Sequence, residues 1–476
     1  MLFKIRKEEK EIFELISQSA DELGVDAYVV GGYVRDRLLG RASNDMDIVC
    51  VGSGIELASR VAAKIKPVPR VAYYSRFGTA LVKHKSLEIE FVGARKESYN
   101  PASRKPAVES GSLQDDLNRR DFTINAMAVS LQNLDFGQII DPFKGLKDLE
   151  HKRLVTPLEP ERTFSDDPLR MLRAIRFAAQ LEFEIDPVTF HAIQSNRDRI
   201  AIVSKERISI ELQKIIDTKR PSIGLKLLSD ARLLPLIFKE LEDLKGVEKL
   251  EGKSHKDNFY HTLQVLDNVA EVSDNHWLRW AALLHDIGKA PTKKYIEDVG
   301  WTFHGHEVVG AKMVPRIFKS LRLPLDGKMK YVQKLVRLHL RPISLTNDVV
   351  SDSAVRRLLF DAGDDIDDLM ILCKADITSK NDQKVARILM NYQKVETLLE
   401  EVEAKDQLRN WQPPVSGQEI MEIFNLKPGP VVGELKGIIR ESILEGQIQN
   451  EKSAAIMLLI EKAAEMGLKP VDGVDI

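Results

Sequence analysis

The chain has 476 residues, a formal net charge of −2, 30% charged residues and 6% aromatic residues. This length predicts two to four domains, and the balanced charge excludes a protein that coats nucleic acid through a globally basic surface. The only two cysteines, Cys50 and Cys373, lie far apart in apolar segments, which argues against a disulfide framework or a cysteine metal cluster. We see no signal peptide or membrane span, so we expect a cytoplasmic protein without a membrane partner.

Short β-rich runs alternate with helical or polar stretches from about residue 28 to residue 141, which predicts an α+β domain. The predicted strands cover residues 27–30, 46–51, 79–82, 87–92 and 124–130. Residues 98–112 are rich in Ser, Pro, Lys and Glu and lack apolar periodicity. We expect them to form a mobile loop beside the site described next.

Helical periodicity dominates from residue 166 onward, so the remainder is predicted to be all-helical. The clearest predicted helices cover residues 168–181, 208–216, 259–272 and 329–340. Residues 246–257 and 410–417 have the composition of domain boundaries. Residues 311–341 hold nine Lys or Arg against one acidic residue, which indicates either a local RNA-binding surface or ordinary solvated helix faces.

Two aspartates separated by one residue, Asp45 and Asp47, lie at the start of a segment of Val, Ile and Cys that reads as the second strand. Side chains two apart on a strand point the same way, so their carboxylates can share metal ions, and two Mg²⁺ ions fit such hard oxygen ligands. Gly31 and Gly32, just upstream, allow the backbone to approach a phosphate closely. This arrangement predicts phosphoryl or nucleotidyl transfer, with Asp45 and Asp47 as metal ligands.

A third carboxylate and a pair of arginines follow. Glu90, in the fourth predicted strand, is either a third catalytic carboxylate or an exposed strand residue. Arg119 and Arg120 are suited to neutralise a triphosphate or a ribose-phosphate backbone. Asp121 either takes part in that binding or braces Arg120.

Asp167 and Arg170 are three residues apart and are expected to be neighbours on one face of a helix that begins near residue 165. A carboxylate beside a guanidinium matches the donor and acceptor edges of both cytosine and adenine, and opposes those of uracil and guanine. The alternative is a plain intrahelical ion pair.

Seven of the ten histidines lie between residues 255 and 339. The candidate ligands come from separate helical segments, as expected of a metal site assembled across a helical bundle. They are His261, His285, Asp286, His306, His339 and Asp376. Such a set suits Mn, Ni, Co, Fe or Zn, and the alternative is a group of hydrogen-bonded core histidines.

The motifs occur in a familiar order between residues 28 and 212. They are Gly31-Gly32 with Arg35-Asp36, Asp45 with Asp47, Arg119-Arg120-Asp121 with Asn125, Asp141-Pro142 with Gly145, Asp167-Pro168-Leu169-Arg170, and Glu206-Arg207-Ile208 with Glu211. In this order the chain resembles the bacterial class II CCA-adding tRNA nucleotidyltransferases, a family shared with poly(A) polymerases. Residues 283–289 are similar to the signature of HD-type phosphohydrolases.

The resemblance implies a polymerase-beta-like nucleotidyltransferase head, followed by an all-helical neck, an HD domain and a tail. The head would cover residues 1–150 and the neck, with a nucleobase-recognition helix, residues 151–245. The HD metal-binding domain would cover residues 246–400, and a tRNA-binding tail residues 401–476.

The implied reaction is template-independent addition of CMP, CMP and AMP, from CTP and ATP, to the 3′ end of tRNA, with Mg²⁺ as cofactor and no DNA partner. Gly31, Gly32 and Arg35 would position phosphates, Arg119, Arg120, Asp121 and Asn125 would bind ribose or triphosphate, and Arg173 would lie near the base-reading pair. Open alternatives are a poly(A) polymerase, an enzyme that adds only A or only CC, an HD-type phosphohydrolase and a non-catalytic RNA-binding protein.

Overall fold

The computed structural model describes residues 1–100, 103–247, 249–250, 253–254, 257–345, 352–379, 381–406 and 411–471. The chain forms two compact units, Met1–Glu242 and Asp243–Ile476. The finer division into four domains stays a prediction. Residues 248, 251–252 and 255–256, in the expected boundary at 246–257, and residue 410, in the expected boundary at 410–417, lie outside the described residues.

The strands of the first unit are β1 Ala27–Val30, β2 Asp45–Cys50, β3 Val71–Tyr74, β4 Thr79–His84, β5 Leu87–Gly93, β6 Arg95–Asn100, β7 Ser103–Ser110, β8 Ala128–Ser130, β9 Ile139–Ile140, β10 Arg153–Leu154 and β11 Glu184–Ile185. Seven of them form one sheet in the order β3-β4-β5-β2-β1-β8-β9. β2 and β5 run parallel, whereas β1 pairs with β2 in the antiparallel sense. The sheet is therefore mixed, and the predicted α+β class is confirmed.

The helices of the first unit are α1 Lys7–Leu23, α2 Gly32–Leu38, α3 Gly54–Lys64, α4 Leu113–Asn118, α5 Gly145–Glu150, α6 Pro160–Asp166, α7 Leu169–Leu181, α8 Pro187–Asn196, α9 Lys205–Ile216, α10 Pro221–Asp230, α11 Leu234–Ile237 and α12 Lys239–Glu242. Met46 and Ile48 of β2 are fully buried against the core, as are Ile12 and Phe13 of α1. Because side chains alternate along a strand, burial of Met46 and Ile48 leaves Asp45 and Asp47 together on the opposite face of β2.

Two predictions for the first unit are wrong in detail. Residues 98–112 do not form a loop, because β6 and β7 pair as an antiparallel hairpin that leads into α4. The polar sequence of the segment hid this hairpin, because it lacks the apolar alternation by which strands are predicted. Residues 101–102 lie outside the described residues, and the mobility of the segment stays a prediction. The strand expected at 124–130 begins only at Ala128, since Thr123–Asn125 form a 3-10 turn.

The second unit is mainly helical. Its helices are α13 Asn258–Val272, α14 His276–Leu284, α15 Lys289–Thr292, α16 His306–Ser320, α17 Gly327–Leu338, α18 Arg341–Ser344, α19 Asp352–Ala362, α20 Ile366–Ala375, α21 Asp382–Asp406, α22 Gly417–Phe424, α23 Pro430–Leu444 and α24 Lys452–Glu465. The all-helical prediction missed β10 and β11 of the first unit and two short hairpins here, formed by β12 Lys249–Leu250, β13 Lys253–Ser254, β14 Lys294–Ile296 and β15 Gly300–Thr302. Within the described ranges, no helix combines the length and the apolar character needed to cross a membrane.

Candidate active site and metal centre

A cavity of about 570 Å³ in the first unit brings together most of the residues predicted for the nucleotide site. Its predicted lining residues are Gly32, Arg35, Asp45, Asp47, Arg119, Arg120, Asp121, Asn125, Asp167, Arg170 and Arg173. Among all the residues that line the cavity, predicted or not, eight are arginines and five are aspartates. A concave surface with this composition favours a polyanion that is bound together with cations.

Asp45 and Asp47 lie at the edge of this cavity on β2. Asp45 is exposed and Asp47 is half-buried. Glu90 does not line the cavity, but it lies directly opposite Asp47 on β5 and is exposed. Burial raises the pKa of Asp47 to about 6, Arg120 opposes this rise, and the charges of Glu90 and Asp45 add to it. Burial and mutual repulsion disfavour the ionised form of these carboxylates. A divalent cation would stabilise that form, so these residues fit Mg²⁺.

Gly31 lies beside this cluster with a backbone φ of 77°. A Cβ atom at this position would come within 2.7 Å of Arg120 Nη1 and 3.1 Å of Asp47 Oδ2. Any other residue here would be strained and would push Arg120 away. Gly31 therefore allows the guanidinium of Arg120 to approach the backbone, and the expected phosphate contact stays a prediction.

Arg119 and Arg120 share one partner that the sequence analysis missed. Asp116 of α4 is fully buried. Its Oδ1 accepts hydrogen bonds from Nε and Nη2 of Arg119, and its Oδ2 accepts from Nε and Nη2 of Arg120. Spacings of three and four residues along a helix bring these side chains together, which was the available signal.

Asp121 braces Arg173 rather than Arg120. Arg173 Nε donates to Asp121 Oδ2 over 2.7 Å, and Asn125 Nδ2 donates to Asp121 Oδ1 over 2.9 Å. Arg35 Nη1 in turn donates to Asn125 Oδ1 over 2.6 Å. Burial alone would raise the pKa of Asp121, but Arg173 and Asn125 hold it well below its usual range. These four predicted residues thus form one hydrogen-bonded chain along the cavity wall.

Phe177 was also missed. The guanidinium carbons of Arg35, Arg173 and Arg176 lie 4.9, 5.4 and 4.1 Å from the centre of its ring. Such contacts orient guanidinium groups on an aromatic face. Phe177 is an apolar residue at helical spacing, which predicts a core position. Only the arginines near it in the sequence could have indicated its role at the cavity.

Asp167 and Arg170 both line the cavity, but they do not share a helix. α6 ends at Asp166, Asp167 has an extended backbone, and α7 begins at Leu169. The prediction of a common helix face is therefore wrong, because Pro168 separates the two helices. Asp167 Oδ1 accepts from the backbone N–H of Leu169, and Arg170 Nη2 donates to the backbone carbonyl of Arg119 over 2.5 Å. The break in the helix places an acceptor and a donor fork on one wall of the cavity.

The second unit gathers all six predicted metal ligands. His261 lies in α13, His306 opens α16, and the other four follow directly after helices α14, α17 and α20. Asp286 Oδ2 lies 3.5 Å from His261 Nε2 and 3.3 Å from His285 Nε2. Asp286 Oδ1 lies 3.3 Å from His306 Nε2 and 3.8 Å from His339 Nε2. Asp376 Oδ1 lies 2.9 Å from His261 Nε2.

Each of the four histidines has its outer nitrogen bound to another group. Nδ1 of His285, His306 and His339 lies 2.8 Å from the backbone carbonyl oxygen three residues earlier. Nδ1 of His261 lies 2.9 Å from Thr378 Oγ1. These contacts leave each Nε2 directed at Asp286, the arrangement that metal-binding histidines adopt.

The buried nitrogens of this cluster favour a metal site over the alternative, a group of hydrogen-bonded core histidines. The Nε2 atoms of His285, His306 and His339 are buried without a hydrogen-bond partner in the structure. A buried polar nitrogen without a partner is costly, whereas bound metal would satisfy His285 in one ligand group and His306 and His339 in the other. The ligand set is thus buried and incompletely satisfied, and it fits a transition-metal ion.

Gly288, two residues after Asp286, determines how closely α16 approaches this cluster. A Cβ atom there would lie 2.1 Å from the carbonyl oxygen of His306 and 2.7 Å from the backbone nitrogen of Gly310. Only glycine permits that approach.

Three protein-family models match separate ranges of this chain. The model of the poly(A) polymerase head domain matches residues 27–155, the model of a probable RNA- and SrmB-binding site of polymerase A matches residues 182–245, and the HD domain model matches residues 258–381. An A-adding tRNA nucleotidyltransferase of Deinococcus radiodurans is 30% identical, over 90% of this chain and 94% of that protein.

Other relatives differ in the nucleotides named for them. A CC-adding tRNA nucleotidyltransferase of Thermus thermophilus is 30% identical over 91% of this chain and 93% of that protein. A CCA-adding enzyme of Pediococcus pentosaceus is 27% identical over 94% of this chain and 97% of that protein. Among solved structures, a tRNA nucleotidyltransferase complexed with a primer tRNA and an incoming ATP analog is 26% identical, with a TM-score of 0.57 over 80% of this chain and 99% of that one.

Proposed function

Because the chain belongs to the tRNA nucleotidyltransferase family, with a poly(A) polymerase head domain, we propose that it adds C, C and A to the 3′ end of tRNA. The single observation that carries this proposal is the cavity of the first unit, in which an aspartate pair, a wall of arginines and the Asp167–Arg170 pair meet. These are the three parts that metal-dependent, base-selective nucleotidyl transfer requires.

The oxygen of the tRNA 3′ hydroxyl attacks the α-phosphorus of CTP or ATP and forms a new O–P bond. The bond from that phosphorus to the oxygen bridging to the β-phosphate breaks, pyrophosphate leaves, and the hydroxyl proton passes to solvent. Asp45 and Asp47 would hold Mg²⁺, which neutralises charge on the attacking and leaving oxygens when it is bound. Arg119 and Arg120 bind the triphosphate through charge-assisted hydrogen bonds. Asp121, with Asn125, orients Arg173 and Arg35 at the ribose or the triphosphate, and Glu90 adds negative charge beside Asp47.

Asp167 and Arg170 read the base edge. A carboxylate accepts the exocyclic amino group that cytosine and adenine share, and a guanidinium donates to the neighbouring ring nitrogen. Uracil and guanine place a carbonyl and a ring N–H at those positions, so they meet both groups with the wrong polarity. Arg173 lies beside this pair through its bond to Asp121.

One assay tests the proposal. Incubate tRNA that lacks its CCA end with Mg²⁺ and each nucleotide singly and in pairs, and then sequence the 3′ ends. The expected product carries CCA only when CTP and ATP are both present. Ends that stop at CC, or tRNA-CC that gains only A, would identify a partial enzyme, and long A tails would identify a poly(A) polymerase. Unextended tRNA under all conditions would refute nucleotidyl transfer.

A second function is favoured by the ligand cluster of the second unit. We propose that His261, His285, Asp286, His306, His339 and Asp376 bind a transition-metal ion and support a phosphohydrolase activity on phosphorylated RNA ends. The ligand atoms form two groups, His261 with His285 and Asp286, and Asp286 with His306 and His339, each within 4.8 Å. A bound ion would activate water there. Metal analysis of the purified protein, with His285→Ala as the control, tests occupancy.

RNA binding by residues 311–341 and by the tail stays part of the proposal. These residues lie mostly in α16 and α17, and some of their cations face carboxylates: Lys334 with Asp365, Arg337 with Glu307, and Arg341 with Asp361. The excess of nine cations over one acidic residue in this segment is suited to phosphate, so tRNA affinity should fall as salt rises. A cytoplasmic location also stays a prediction.

A further inference from the structure

Asp116 is the most completely buried carboxylate beside the nucleotide cavity, with no exposed surface. It has no place on the cavity wall, yet it contacts both arginines of the Arg119-Arg120 pair. One oxygen accepts from Nε of Arg119 over 2.9 Å and from its Nη2, and the other accepts from Nε and Nη2 of Arg120 over 3.2 and 2.9 Å. A single carboxylate thus fixes two guanidinium planes.

Asp116 does not bind the third nitrogen, Nη1, of either guanidinium, and each Nη1 contacts a different group. Arg119 Nη1 lies 3.4 Å from Glu97 Oε1, and Arg120 Nη1 lies 3.5 Å from the backbone carbonyl of Asn125. These contacts are long compared with ordinary charge-assisted hydrogen bonds. Both arginines line the cavity, so their Nη1 groups are suited to donate hydrogen bonds to anionic oxygens there. Arg95 Nε also lies 3.1 Å from Glu97 Oε1, so three guanidinium groups share two carboxylates and leave a net positive charge for a polyanion.

Arg120 has a second carboxylate within reach. Arg120 Nη1 and Asp47 Oδ2 both lie beside Gly31, at 2.7 and 3.1 Å from the position of a Cβ there. If nothing held Arg120, its charge would pair with Asp47 and compete with a metal ion for that oxygen. Asp116 binds Nε and Nη2 of Arg120, so only Nη1 is left near Asp47.

We propose that Asp116 is a positioning residue with two effects: it presents Arg119 and Arg120 to the polyphosphate of the incoming nucleotide, and it keeps Arg120 from forming a direct ion pair with Asp47. The nature of the substrate rests on the proposed function. The positioning itself does not, because inorganic tripolyphosphate can report it.

The test compares Asp116→Asn with the wild type and with Asp115→Asn in the full chain. Asp115 is the adjacent carboxylate of α4, and it bonds Ser112 instead of the arginines. In Mg²⁺-free buffer, Asp116→Asn should bind tripolyphosphate about tenfold more weakly, the equivalent of one lost charge-assisted interaction, whereas Asp115→Asn should bind normally. The Mg²⁺ concentration for half-maximal tRNA extension should rise several-fold in Asp116→Asn alone, with the choice between CTP and UTP unchanged.

A purely structural role for Asp116 would lower the unfolding temperature and leave tripolyphosphate affinity and Mg²⁺ requirement at wild-type values, and that result would overturn the proposal. Asp116→Glu keeps the charge and should recover part of both losses. Should neither variant fold, Arg119→Lys and Arg120→Lys decide the matter, since lysine keeps the charge but lacks the fork that Asp116 binds. Wild-type tripolyphosphate affinity and Mg²⁺ requirement in both lysine variants would also overturn it. Failure of the wild type to extend tRNA refutes the proposed function and leaves the tripolyphosphate result standing.

Discussion

The two units present carboxylates to cations in opposite ways. In the first unit, Asp45 and Asp47 stand on one strand at the edge of an open cavity lined by eight arginines. In the second unit, His285, Asp286 and His339 are at most 3% exposed and converge from elements far apart in the chain. An open site favours ions that arrive with a phosphate substrate and leave with it. A buried imidazole site favours an ion that stays.

The largest effect that would test this contrast comes from Asp47→Asn. Losing a carboxylate from the strand pair should lower the rate of tRNA extension about 10³-fold, since each 1.4 kcal/mol of lost transition-state stabilisation is tenfold. The metal content of the purified protein should not change. Rates come from single-turnover assays and metal content from elemental analysis. A variant that also lost its bound metal would show that the two sites are not independent.

The converse change is His285→Ala. It should empty the metal site of the second unit and leave CTP incorporation within about twofold of the wild type, because surface or remote changes rarely alter an independent site. Elemental analysis and the tRNA assay on the same preparation check both halves. Wild-type protein purified without any bound metal would contradict the proposed resident ion.

A smaller effect is expected at the base-reading wall. Asp167→Ala or Arg170→Ala should reduce the preference for CTP over UTP by about 5- to 150-fold, the equivalent of the 1–3 kcal/mol carried by a bidentate base contact. Competition between the two nucleotides measures it. Arg162→Ala is a matched control, because Arg162 is exposed and pairs with Asp166 at the end of α6. Unchanged selectivity in both cavity variants would defeat the base-reading proposal.

The smallest effect is expected at Glu9, a carboxylate whose hydrogen-bond partners are groups of the protein itself. Glu9 accepts hydrogen bonds from Tyr33 Oη over 2.6 Å and from Arg37 Nε over 2.5 Å. Burial opposes its ionisation, but Arg37 and Tyr33 outweigh that and lower the pKa of Glu9 below its usual 4.5. Glu9→Gln should cost about 1–2 kcal/mol of stability at pH 7.

The sign of the pH dependence follows from that lowered pKa. The stability due to the Glu9 charge is present above about pH 4.5 and disappears as the pH falls through the lower folded-state value. Denaturant unfolding at pH 7 and at pH 3.5 should therefore show the difference between wild type and Glu9→Gln shrinking at the lower pH. A difference that stays constant would assign the effect to packing.

The same contrast explains what the sequence could predict. Asp45 and Asp47 are two residues apart, so the period of a strand places them together without any knowledge of the fold. The ligands of the second unit span more than a hundred positions, so no local spacing connects them, and the crowding of histidines and the resemblance to a known signature were the available signals. Asp116 escaped notice because a buried charge inside a polar run looks like any solvated helix residue. The helix break at Pro168 was missed because Asp167 and Arg170 fit helical spacing on either side of it.

Gly288 carries one more consequence for the second unit. A methyl group at this position would wedge against the first turn of α16 and shift the imidazole of His306, although every ligand would remain in the sequence. Gly288 thus sets the distance between its own backbone and the start of α16, although it contributes no ligand atom to the site. Judging whether a homologous chain retains a working centre therefore requires inspecting the residue at this contact as well as the six that would hold the ion.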